Sequence, residues 1–303
     1  MAEPAIGRYL YCVLPGAAAP PLDGLVGVDG AAPVEPLDGG GLRALSSRVP
    51  LDVFGEQPLR RNLERIEWVE RTARAHDAVL ARALAGADAV VPLRMFTIFA
   101  DERQARAMLE RERSWLAAAL ERLRGVAEWG VKARVDEARL AEAVRVPVEA
   151  GAGGGAGAAG GAGGGGGAGG DPGAGGAGAA TPGHAFFARR RADAAVRERA
   201  AETAASVAEE VHRRLAAEAA DATLLAPQRA ALSGLSGTMV LNGAYLVPRA
   251  RERAFAAAVE ELAARHRPAG FAIDLSGPWA PYSFAPPREP SDEQRPPAPR
   301  DPA

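Results

Sequence analysis

Four histidines and one cysteine, set among 38 acidic residues, are the material from which this chain of 303 residues would have to build a reactive centre. His76, His184, His212 and His266 are widely spaced, and none stands in a His-x-x-x-His or Cys-x-x-Cys arrangement of the kind metal sites use. A composite site assembled by folding stays open, but the spacing predicts no metal centre and no cofactor. His76 lies beside Asp77 on a helical stripe, and its simplest reading is a partly buried histidine hydrogen-bonded near its helix. Cys12 becomes a nucleophile only where a neighbouring base depresses its pKa. Between Tyr11 and Val13 in an apolar run, it reads as a small core residue.

Other catalytic signatures fail on inspection. A phosphate-binding Gly-x-x-x-x-Gly-Lys-[Ser/Thr] loop would need a suitably placed lysine, and Lys132 is the one lysine of the chain. Ser233-Gly234-Leu235-Ser236-Gly237-Thr238 imitates a nucleophile elbow, but Gly-x-Ser-x-Gly would need glycine where Thr238 stands. It reads better as the loop before a strand. The carboxylate pairs Glu209-Glu210 and Glu260-Glu261 point in different directions from a helix and sit among arginines, as on a solvated face. No RNP1 pattern of basic residue, glycine and interleaved aromatics is present, so RNA recognition has no motif behind it. The expected catalytic residues are therefore none.

The distinctive chemistry is aromatic. Phe271 to Ser276 reads as a strand and runs into Gly277-Pro278-Trp279-Ala280-Pro281-Tyr282-Ser283-Phe284. Gly277 permits an unusual backbone angle, and Pro278 and Pro281 restrict the path on either side of Trp279. Trp279, Tyr282 and Phe284 then either fold back over the nearby sheet or present anchors to a partner, and both roles can hold on different faces.

Composition narrows the partners. With 36 basic and 38 acidic residues the formal charge is −2, which gives no field favouring nucleic acid or an anionic membrane. Apolar runs are short and interrupted by charge, so no segment is expected to span a bilayer. A single cysteine and the lack of a basic start followed by an apolar stretch predict a cytoplasmic protein.

Strands are expected at 9–14, 43–49, 90–99 and 128–135. In the first, Tyr9, Tyr11 and Val13 alternate with Leu10, Cys12 and Leu14, so both faces are apolar and the strand is central. Leu59, Leu63, Ile66, Ala73, Leu80 and Leu84 recur at helical spacing, predicting one amphipathic helix. A second begins near Asp101, which can cap it with Gln104 reaching back, and carries Ala105, Met108, Leu109, Leu116, Ala119 and Leu123 on its apolar face. An order of β-β-α-β-α-β, with helices on one side, predicts an α+β fold whose residues 1–150 form a modified ferredoxin-like sandwich.

Residues 151 to 180 hold 18 glycines and 10 alanines and predict a flexible linker over 151–183. A second α+β unit is expected over 184–284. Its long helix, 185–225, has the seam Val196, Ala200, Thr203, Val207, Val211, Leu215 and Ala219, narrow enough for coiled-coil packing. A strand from Thr238 to Val247, with a bulge or turn at Asn242-Gly243, a helix from Arg249 to His266 and the strand from Phe271 complete it. The Pro-rich stretch 285–303 reads as a disordered tail.

The terminal Gly-Pro-Trp-x-Pro-Tyr-Ser-Phe closely resembles a signature of the gas vesicle GvpL/GvpF family. Arg8-Tyr9-Leu10-Tyr11-Cys12-Val13 resembles the family's opening strand, Arg74 to Leu80 a helix leading to Val90-Val91-Pro92-Leu93-Arg94, and Glu128-Trp129-Gly130-Val131-Lys132 the next strand. Arg94-Met95-Phe96-Thr97 departs from the Arg-Phe-Gly-Thr often found there, which puts the local turn in question. The resemblance implies the same two-unit α+β fold and a non-enzymatic role in gas vesicle assembly. It also implies contacts with the shell protein GvpA and with other accessory gas vesicle proteins. The residues alone leave two alternatives: a ligand-sensing regulatory module of ferredoxin-like type, and, more distantly, an enzyme with a composite His/Asp site.

Overall fold

The computed structural model describes residues 5–150, 182–226 and 237–285. The expectations for the Gly/Ala tract, for most of the 233–238 loop and for the Pro-rich tail fall outside those residues. The fold is mixed α/β, with two antiparallel sheets.

The first sheet is built on β1 (Ile6–Pro15). Antiparallel to it on one side is β3 (Leu42–Pro50), followed outward by β2 (Glu35–Gly39), an edge strand that the sequence reading missed. On its other side β1 pairs with β4 (Val91–Pro92) and β5 (Ile98–Phe99). The strand expected over 90–99 is thus two short pieces. The backbone between them turns at Phe96, a non-glycine residue at φ 66°.

Both faces of β1 are buried because helices cover both. Tyr9, Tyr11 and Leu14 share a core with α1 (Leu51–Phe54) and α3 (Ile66–Gly86), through Phe54, Trp68, Val79 and Ala83. Leu10 and Val13 pack with α4 (Glu102–Arg111) and α5 (Arg113–Arg122), through Met108, Leu109 and Leu116. This corrects the one-sided ferredoxin-like sandwich expected for residues 1–150. The helix expected across Leu59 to Leu84 is also divided, into α2 (Glu56–Asn62) and α3. Its buried face, Trp68, Thr72, His76, Val79 and Ala83, follows steps of three and four. Leu63 and Ile66 lie off that stripe and stay exposed. The Asp101 carboxylate accepts from the Gln104 amide at 2.8 Å, and the six apolar residues assigned to that helical face are all buried, on two helices that meet at Glu112.

The second sheet runs β7-β8-β6-β9. Its central strand β6 (Val126–Val135) was expected to complete the first sheet. Instead it forms long antiparallel ladders with β8 (Thr238–Pro248) and β9 (Phe271–Trp279), whereas the first sheet's open edge offers only two-residue pairings. One face is covered by α6 (Glu137–Ala150), α7 (Pro182–Ala216) and α8 (Glu252–His266), with Val131, Val211, Leu215, Tyr245 and Phe255 in the shared core. Strands β6 and β7 (Asp221–Leu224) are both antiparallel to the β8 between them. Strands β6 and β7, connected through helices and separated in the sheet by β8, form a split β-α-β arrangement.

The long helix is shorter than expected, because residues 221–224 leave it to hydrogen-bond along the outer edge of β8. Asn242 and Gly243 sit in regular register opposite Lys132 and Val131; the ladder's irregularity lies next to them, where Val240 is passed over. Among the described residues no helix is long and apolar enough to cross a membrane.

Candidate functional site

The segment singled out by the sequence begins as the end of a strand, not as a turn. Strand β9 continues through Gly277 and Pro278 to Trp279, and its register with β6 jumps from Gly130↔Ser276 to Glu128↔Trp279. Gly277 takes φ 126°, and a Cβ there would lie 3.0 Å from the Glu128 carbonyl oxygen. Both the angle and the close approach require glycine. Beyond Trp279 the chain tightens into a turn, with the Ala285 amide donating to the Pro281 carbonyl at 2.9 Å.

That turn crosses between the two halves of the molecule. Ala280 enters the core of Tyr9 and Trp68, and Phe284 enters the core of Leu10 and Leu109, where Ala244 and Leu246 of the second sheet also pack. Of the two placements open to the terminal aromatics, Phe284 takes the buried one, whereas Trp279 is 49% exposed and Tyr282 41% exposed. Trp279 is at the end of an edge strand, where among the described residues no further strand covers it.

Tyr282 nevertheless buries its hydroxyl end. His76 Nε2 lies 2.7 Å from the Tyr282 hydroxyl, and His76 Nδ1 lies 2.9 Å from the Tyr9 hydroxyl. The Tyr9 oxygen already accepts from the Phe96 amide at 3.0 Å, and the Tyr282 hydroxyl points to the Leu93 carbonyl at 3.4 Å. These partners assign the tautomer: Tyr9 donates to Nδ1, and Nε2–H donates to Tyr282. The chain of bonds therefore starts on a backbone amide, ends on a backbone carbonyl and passes through a neutral imidazole.

Burial pushes the pKa of His76 down to about 4 and those of Tyr9 and Tyr282 upward. Beside them, Tyr11 bonds to Ser47 Oγ at 2.7 Å and accepts from the Val28 amide, and burial pushes its pKa up to about 12. His76, Tyr9 and Tyr11 are fully buried and satisfied, and the hydroxyl of the more open Tyr282 is satisfied too, which suits positioning rather than proton transfer.

The second tie is Glu128. Its carboxylate accepts from the Ser283 amide at 2.8 Å and from the Ser283 hydroxyl at 2.7 Å. Burial raises its pKa against the lowering effect of those bonds. A third tie comes from Arg249, at the foot of α8, which donates to the carbonyls of Leu84 and Ala87 at the end of α3. Between α3 and the terminal segment a groove of about 300 Å³ remains open, walled by Asp77, Leu80, Glu128, Trp279 and Tyr282.

Of the other histidines, His212 bonds to the Tyr245 hydroxyl at 3.1 Å and His266 lies 3.4 Å from Glu210. The side chain of His184 is outside the described set. No group of three or more His, Cys, Asp or Glu able to hold a metal exists among the described residues. Cys12 is fully buried, and burial pushes its thiol pKa upward, so it fills the core as read. Sequence reasoning found His76 and the terminal aromatics but not their partners Tyr9, Glu128 and Ser283. The available signal was two tyrosines on a strand buried on both faces, since buried hydroxyls need partners.

Comparison with known proteins agrees with this architecture. Residues 7–286 match the family described as Gas vesicle synthesis protein GvpL/GvpF. Gas vesicle protein L of Streptomyces sp. (strain CB03234) is 34% identical over 284 residues, covering 92% of each chain. The crystal structure of the gas vesicle protein GvpF from Anabaena sp. PCC7120 superposes with a TM-score of 0.60 at 19% identity, over 94% of this chain and 98% of that one. GvpF from Microcystis aeruginosa gives a TM-score of 0.58 at 19% identity, over 92% and 98%. The fold is therefore that of GvpF, and with the matched sequence extending across both sheets and the terminal segment, the chain belongs to the GvpL/GvpF family of gas vesicle proteins.

Proposed function

We propose that this protein is a structural accessory factor of gas vesicle assembly that binds the shell protein GvpA and other accessory gas vesicle proteins. The contact surface is the terminal segment around Trp279 and Tyr282, and the work is done in the cytoplasm at the forming vesicle. Family membership supports the gas vesicle role. The observation that carries the binding role is Trp279, a large aromatic left 49% exposed on backbone fixed by the β6 ladder before it and the Ser283 bonds after it. A preorganised aromatic loses little entropy on docking, and Trp and Tyr are the residues that dominate interface energetics. On this reading the His76 chain maintains the segment's shape and has no substrate. The split β-α-β half, with β6 at its centre, is then the ferredoxin-like unit.

Immobilised full-length protein and purified GvpA supply the test. Capture is expected to fall about tenfold or more with Trp279→Ala, a loss of about 1.4 kcal/mol or more, with the melting temperature little changed. Undiminished capture by that variant would remove Trp279 from the interface.

A further inference from the structure

The groove beside Trp279 is lined by two acidic side chains. Asp77 and Glu128 both line it, and among the described residues neither is paired with an arginine, lysine or histidine. The donors on Glu128 are the neutral amide and hydroxyl of Ser283. Glu128 is buried without a counter-charge and burial raises its pKa, while Asp77 stands at the exposed rim of the groove, where partial burial raises its pKa as well. Glu128 and Trp279 are register partners in the β6–β9 ladder, so their side chains leave the sheet on the same face. An indole half open to solvent therefore stands next to two carboxylates.

We propose that this groove receives the guanidinium of an arginine presented by a partner protein, stacked on the Trp279 ring and hydrogen-bonded to Asp77 and Glu128. The proposal rests on the partner-binding role of the same segment and gives that role a chemical preference. A planar, weakly hydrated guanidinium suits an aromatic face and two acceptors better than a compact ammonium does. A metal ion is a poorer occupant, because among the described residues the acids here gather no third ligand. The groove, at about 300 Å³, has room for the aliphatic stem against Leu80 and Pro278.

The test uses the full-length protein labelled with 15N, titrated with N-acetylarginine amide and, separately, with N-acetylcitrulline amide, its neutral near-isostere. The indole signal of Trp279 is assigned by its loss in Trp279→Phe. It is expected to shift saturably with the arginine compound and to respond about tenfold more weakly to citrulline. Asp77→Asn, an isosteric change at an exposed site, is expected to weaken arginine binding about tenfold with the remaining spectrum preserved. An equal response to citrulline, or an Asp77→Asn protein that binds as the parent does, overturns the cation site. If arginine binds as expected while GvpA capture survives Trp279→Ala, the cation site stands and the GvpA-binding role falls. If capture depends on Trp279 but arginine does not bind, the reverse holds.

Discussion

The imidazole of His76 and the hydroxyl of Tyr282 meet at 2.7 Å across 206 residues of chain, joining a helix on the first sheet to the segment that follows the last strand. Removing the hydroxyl with Tyr282→Phe leaves the His76 Nε2–H without its acceptor. An orphaned buried donor costs about 1–3 kcal/mol, and equilibrium urea unfolding should show a loss in that range. A change below about 0.5 kcal/mol would mean that water takes over the bond.

Acid should weaken the protein through the same histidine. Its pKa is near 4 when folded against 6.5 as a free side chain, so below pH 6.5 the unfolded chain takes up a proton that the folded one refuses. Stability is lost as pH falls from 6.5 towards 4, by up to about 3 kcal/mol, and this contribution levels off below. Glu128 has the opposite sign: its raised pKa favours the fold at low pH and loses that contribution as pH rises through the folded value. Comparing urea midpoints with His76→Gln isolates the histidine. The parent's advantage should be greatest above pH 6.5 and shrink towards pH 4, whereas a pH-independent gap would contradict the assignment.

Phe96 offers a separate check on the turn between β4 and β5. Its ring stacks on Trp68 with centroids 5.7 Å apart and planes 11° from parallel, which holds a left-handed backbone that side chains disfavour. Phe96→Ala loses the stack and retains the strain; Phe96→Gly loses the stack and relieves the strain. The glycine variant should be the more stable of the two by about 1 kcal/mol, the reverse of their usual order. Thermal unfolding of the pair decides it.

The terminal aromatics should separate cleanly. Phe284 is buried in the core of Leu10 and Leu109, so Phe284→Ala should cost about 3–5 kcal/mol. Trp279→Ala, at a half-exposed position, should cost less than about half of that. Equal losses in a denaturant titration would show that Trp279 is held by contacts its exposure hides.

Much of this was readable where a residue's role is local. The alternation on both faces of β1, the Asp101 cap and the stripe from Ala105 to Leu123 each follow from neighbours within a turn or two. What was misread depends on distant partners. Strand β6 has the same apolar run whichever sheet takes it, and only the long ladders available on β8 and β9 decide the matter. Leu63 and Ile66 fit a helical period but not the face that Trp68 and His76 define. The motif leaves open whether Trp279 packs on the sheet or faces outward, because an edge position is not written in a single strand's sequence. The terminal motif was visible as a motif, but its ties to His76 and Glu128 span more than 150 residues, beyond any periodicity.

The position of β6 also fixes an order of events during synthesis. This strand leaves the ribosome long before β8 and β9, the two strands that flank it, and the first half waits equally for Phe284 to fill its core and Tyr282 to reach His76. Closing such distant contacts is slow, because the loop entropy is lost before any contact compensates it. Neither half can finish ahead of the other. A nascent chain stalled after residue 270 should therefore remain protease-sensitive in both halves, and release of the last fifteen described residues should protect both at once.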